Sequence, residues 1–76
     1  MFIKILGTGC SKCERLKKNL DIALKELNID ATVENVDDLI EIVSYGVMET
    51  PGFVVNDEVK SVGRALSVDE IKGILK

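Results

Sequence analysis

The 76-residue sequence predicts a single α/β domain over residues 1–76, with a four-stranded mixed sheet of order 2-1-3-4 and helices on both faces. Three observations lead there. Short apolar runs alternate with segments of helical spacing, giving the element order β-α-β-α-β-β-α. Two of the runs are apolar throughout and belong at the sheet centre, whereas two alternate with polar residues and belong at the edges. The last two runs are separated by two turn-forming residues, the signal of an antiparallel hairpin.

Each element has its own justification. Phe2, Ile3, Ile5 and Leu6, closed by Gly7, form a run too short for a helix and read as a buried strand. Over residues 11–28, Cys13, Leu16, Leu20, Ala23, Leu24 and Leu27 recur at steps of three and four, with charged residues between them and Asn28 as a stop. Residues 31–36 alternate loosely, with Ala31 and Val33 set against Thr32 and Glu34, as in a half-exposed strand. Asp37 can cap a short helix that carries Leu39, Ile40 and Val43 and stops at Gly46. The apolar run 52–55 follows the only proline, Pro51. Asn56-Asp57 tolerates the positive φ of a tight turn, and residues 58–62 alternate up to Gly63. Ser67 and Glu70 form a capping box for a last helix with Val68, Ile71, Ile74 and Leu75 on one side. A helical crossover makes the first two strands parallel neighbours, which fixes the strand order.

Composition narrows the chemistry. A net charge of −3 argues against a general nucleic-acid-binding role, and no apolar run approaches membrane-spanning length. There is no histidine, so no Ser–His or Cys–His pair can form. There are two cysteines, Cys10 and Cys13. As a staple, so short a loop contributes roughly 2 kcal/mol, against about 4 for a bridge closing most of the chain. The segment from Met1 to Gly9 has one lysine and no small-residue cleavage site, so it does not read as a signal peptide. A cytoplasmic chain is expected, where a lone cysteine pair is more often redox-active or metal-binding than structural. A monomer is expected as well.

The cysteines lie between the first strand and the first helix. Cys13 is in phase with Leu16 and Leu20 and should face the core; Cys10, at or just before the helix start, should be accessible. The helix begins either after Ser11, through a capping box with Glu14, or at Cys10 itself. Both place the Cys10 sulfur near free N–H groups of the first turn. An ordinary cysteine is only about 3% thiolate at pH 7. A helix N-terminus, Lys12 and a hydrogen bond from the Cys13 thiol together are large enough to make it a good nucleophile. Cys10 is therefore the expected nucleophile and Cys13 the resolving thiol, with Ser11 and Lys12 as tuning residues. Residues 1–20 carry a net +4 and residues 21–58 a net −9, so the cysteine end is locally basic, although the same lysines also read as a solvated helix face.

Gly7-Thr8-Gly9-Cys10-Ser11-Lys12-Cys13, Tyr45-Gly46-Val47-Met48-Glu49-Thr50-Pro51 and Gly63 before a short last helix resemble the small thioredoxin-like redox-active disulfide proteins of archaea and bacteria. The resemblance covers nearly the whole chain. It implies a minimal thioredoxin fold and a protein disulfide oxidoreductase with no bound cofactor and no metal. Its disulfide substrates are proteins or small molecules, and its electrons come from a separate reductase of the thioredoxin-reductase kind. It also implies that Pro51 is cis and lies against the cysteines, and that Thr50 offers its backbone to a bound substrate segment. Two features depart from the common thioredoxin pattern. Gly9 precedes Cys10, and Ser11-Lys12 stand where Gly-Pro is usual. Lys4 occupies the place of a buried carboxylate. Lys4, water or the leaving substrate thiolate are then the candidate proton acceptors for Cys13.

Other chemistries remain to be weighed against this one. Two thiolates in a Gly-x-x-Cys-x-x-Cys loop suit Cu(I), as in copper-chaperone-like domains, but those run β-α-β-β-α-β. A non-catalytic redox-sensing module is a further alternative. Structural zinc needs four ligands and an iron–sulfur cluster would have to be shared between two chains. Gly7-x-Gly9 lacks the third glycine of a dinucleotide loop. Thr8, Tyr45 and Met48 read first as loop and helix-end packing, with a place beside the site as the rival reading. Gly63 reads equally as a strand end and as an opening for substrate, and Arg64 as a solvated charge.

Overall fold

Seven elements follow one another: β1 (Phe2–Leu6), α1 (Ser11–Leu27), β2 (Thr32–Val36), α2 (Leu39–Ser44), β3 (Gly52–Val55), β4 (Glu58–Val62) and α3 (Val68–Leu75). They are seen in a computed structural model that describes residues 1–76. The sheet order is β2-β1-β3-β4, with β1 parallel to β2 and antiparallel to β3, and β3 antiparallel to β4. This is the minimal thioredoxin fold, not the β-α-β-β-α-β arrangement of the copper-chaperone alternative.

The two central strands are buried because both their faces are covered. Ile3, Ile5, Phe53 and Val55 point to one side and join Leu16, Leu20 and Ala23 of α1, Ile71 and Leu75 of α3, and Leu66 in a single core. Leu6 and Val54 point to the other side and meet Val36, Ile42 of α2 and Val47. Asn19 donates a hydrogen bond to the Leu66 carbonyl (2.9 Å), tying α1 to the segment that leads into α3.

Local signals account for the element ends. Asn28 ends α1 in the left-handed conformation, and the capping box of Ser67 and Glu70 opens α3 as expected. Asn56 and Asp57 both have positive φ, 50° and 66°, and form the hairpin turn. Asn56 also clasps β1: its N–H donates to the Phe2 carbonyl (2.7 Å) and its Oδ1 accepts from the Phe2 N–H (2.9 Å). The β3–β4 register shifts between Phe53 and Val54, a bulge within the hairpin.

Several expectations need correction. The cap of α2 is Asp38, whose side chain accepts from the Ile40 N–H, and not Asp37. The helix carries Leu39, Ile40 and Val43 as expected, but they are exposed. It buries Ile42, and Ile40 is 82% exposed. The reason is length: six residues present one narrow face, and apolar side chains at 39, 40, 42 and 43 leave the sequence with no unique stripe. In β2 only Val36 is buried. Val33 does lie on the α1 side, paired with Ile3, but an open groove between α1 and β2 leaves it partly in water.

Candidate active site

The site forms where β1 ends and α1 begins. Gly9, at φ +86°, turns the chain between them. Cys10 follows in extended conformation and is the N-cap of α1. Its carbonyl accepts the Glu14 N–H (3.0 Å) and its Sγ accepts the Cys13 N–H (3.2 Å). Of the two helix starts that the sequence allows, the one at Cys10 is realised, and Ser11 is the exposed first residue of the helix and not its cap.

This placement has an electrostatic consequence. The N–H that satisfies the Cys10 sulfur belongs to the first helical turn, where backbone donors lack carbonyl partners and the helix dipole is positive. Negative charge on that sulfur is favoured there. Lys12, in the same turn, is exposed and makes no ion pair.

Cys10 and Cys13 are joined by a disulfide, with Cα atoms 5.0 Å apart. The two sulfurs stand in unequal surroundings. Cys10 is half-buried, whereas Cys13 is buried at 6% exposure. Cys13 owes its burial to Gly7. A Cβ on Gly7 would overlap Cys13 Sγ and lie 3.7 Å from Thr50 Cβ. Three distant stretches of chain therefore converge on the space that Gly7 leaves empty. Gly7 has no positive φ that would demand glycine, so the requirement is for room. The sequence marks Gly7 only as the end of a strand; its place before the Gly9-Cys10 turn is the signal that was there to be used.

Thr50, which reaches the Gly7 space, leads into Pro51. The peptide bond between them is cis and Pro51 is buried. The Pro51 carbonyl accepts the N–H of Gly63 (2.8 Å), which sits at φ +73°. Gly63 thus anchors this loop to the end of β4.

Lys4 is tied to α2 and its C-cap. It shares the α2 side of β1 with Leu6, and its Nζ donates to the Tyr45 hydroxyl (2.9 Å) and to Glu41 Oε2 (3.5 Å). The hydrogen bond to Tyr45 raises the Lys4 pKa above the ordinary lysine value, Glu41 raises it further, and partial burial opposes both. Its Nζ is thus engaged by two partners, Tyr45 and Glu41.

Three smaller readings change as well. Thr8 and Met48 are exposed, Met48 being 85% accessible. Arg64 is not simply solvated but pairs with Glu70 (2.6 Å). No group of three or more histidine, cysteine, aspartate or glutamate side chains is arranged to hold a metal ion, and no helix is long and apolar enough to cross a membrane.

Comparison with known proteins agrees with this geometry. A thioredoxin-domain family model matches residues 1–76. The thioredoxin of Methanothermobacter thermautotrophicus is 45% identical over 75 residues, which cover 99% of this chain and 97% of that one. The thioredoxin of Methanocaldococcus jannaschii is 43% identical over 74 residues, covering 97% and 85% respectively. With a half-buried and a buried cysteine bridged at the start of a helix, and with relatives matching from end to end, the chain belongs to the thioredoxin family and is a thiol–disulfide oxidoreductase.

Proposed function

We propose that the chain reduces disulfides of proteins or small molecules through a fixed division of labour between its two thiols. The Cys10 thiolate attacks one sulfur of the substrate disulfide, a mixed disulfide forms, and the first substrate thiolate leaves and takes up a proton. Cys13, deprotonated, then attacks Cys10 Sγ and expels the second substrate thiolate. The dithiol loses two electrons and two protons, and the substrate gains both as two thiols. With Lys4 engaged by Tyr45 and Glu41, water or the leaving substrate thiolate takes the Cys13 proton. Ser11 and Lys12 tune Cys10 at the helix start. Thr50 and Pro51 form the edge along which a substrate segment lies, a strand-addition contact. The chain itself binds no cofactor, and a separate reductase of the thioredoxin-reductase kind returns the electrons in the cytoplasm.

One observation carries this reading: Cys10 is the half-exposed helix cap that receives the Cys13 N–H, while Cys13 is buried against Gly7. The test is insulin reduction by cysteine variants. Cys10→Ser abolishes turnover, and Cys13→Ser accumulates a mixed disulfide with substrate. Full activity in Cys10→Ser overturns the assignment.

A further inference from the structure

The Thr50–Pro51 edge has a charged neighbour that the exchange chemistry leaves unused. Glu49 immediately precedes Thr50, and its side chain lies across Gly63. A Cβ on Gly63 would stand 2.6 Å from Glu49 Oε2 and 3.2 Å from Glu49 Cβ. Gly63 is also the residue whose N–H holds the Pro51 carbonyl. The Glu49 carboxylate is therefore kept beside the backbone that anchors Pro51, and it is exposed.

No cation of the molecule pairs with it. Glu49 takes part in none of the five ion pairs. The cation nearest in sequence to its contact, Arg64, is turned towards Glu70, whose carboxylate is held in turn by the Ser67 cap. Lys4 is occupied by Tyr45 and Glu41, and Lys60 by Glu58. One uncompensated negative charge thus stands on the Thr50–Pro51 side of the dithiol, and the unpaired Lys12 stands on the helix side.

We propose that Glu49 is a specificity-determining residue for disulfide exchange, favouring substrates whose half-cystine is flanked by cationic side chains over those flanked by acidic ones. The proposal rests on the reading of Thr50–Pro51 as the substrate edge. A chain bound there brings the neighbours of its half-cystine past Glu49. Two unit charges about 6 Å apart in water change a rate roughly threefold, so exchanging a flanking lysine for a glutamate spans roughly tenfold. The preference weakens as salt screens the pair.

The experiment uses the prereduced full chain and three peptide disulfides, homodimers built on Lys-Cys-Lys, Gln-Cys-Gln and Glu-Cys-Glu. Second-order reduction rates are measured by acid quench at low and at high ionic strength. The lysine-to-glutamate rate ratio is expected to fall roughly tenfold in Glu49→Gln and further in Glu49→Lys, with the differences shrinking at high salt. The contribution of Lys12 is common to all three proteins and cancels in the comparison. Ratios that neither variant moves overturn the role of Glu49 and leave the exchange reading standing. Failure of the unmodified protein to reduce any of the three peptides overturns the exchange reading, and Glu49 with it.

Discussion

Against one face of the sheet, α1 and α3 assemble a core of ten buried residues; against the other, α2 covers only five. The core of the thick face is apolar and carries the reactive helix: Leu16, Leu20 and Ala23 of α1 are packed with Ile3, Ile5 and Phe53, about one, two and three turns beyond Cys13. The thin face admits a lysine among its strand residues and leaves Leu39, Ile40 and Val43 in water. The difference teaches where precision is needed. A helix N-terminus that must hold one sulfur over Gly7 and present another is fastened by dense packing, because a close-packed core transmits little slack. The face that holds no reacting atom is built more loosely.

The largest test of that contrast is to open a cavity on each side. Phe53→Ala in the thick core is expected to cost about 3–5 kcal/mol, and Ile42→Ala in the thin one about 2–3 kcal/mol, read from urea unfolding of the reduced chains. Equal losses would mean that the two cores carry the fold alike. A smaller effect, sharper in kind, comes from Gly7→Ala. The new methyl group has to displace Cys13 Sγ, so resolution of the mixed disulfide slows by roughly tenfold, which corresponds to about 1.4 kcal/mol. The mixed disulfide then persists in quenched samples while the circular dichroism remains that of a folded chain. Resolution at the normal rate would show that the sulfur tolerates a different seat.

On the thin face the expected effect is confined to alkaline pH. The folded-state pKa of Lys4 lies above its ordinary value of 10.5, so the stabilisation from its charge is complete below that value and is lost as pH rises through the folded pKa. Urea midpoints of the unmodified chain should therefore fall more steeply than those of Lys4→Met between mildly and strongly alkaline solution. Parallel curves would show that the lysine adds nothing through its charge.

Much of this was legible in the sequence. The strand order follows from which runs are apolar on both faces, and the unequal cysteines follow from the phase of Cys13 with Leu16 and Leu20. What escaped has a common physical cause. Gly7 matters because Cys13 and Thr50 fold back onto it from 6 and 43 residues away, a convergence that no local pattern records. Glu49 gains its position through Gly63, and the two belong to separate segments. Which side of α2 is buried is not written in the sequence, because fewer than two turns of helix define no periodicity.

The cap at position 10 has a further consequence. Serine, threonine, aspartate and asparagine are the side chains that stabilise a helix start best, and a cysteine is not among them. Retaining sulfur there sets reactivity ahead of helix strength, the kind of trade-off that recurs where activity and stability compete for one residue. Cys10→Ser therefore sacrifices the reaction while offering the helix a better cap, and the inactive protein is expected to melt no lower than the reduced parent.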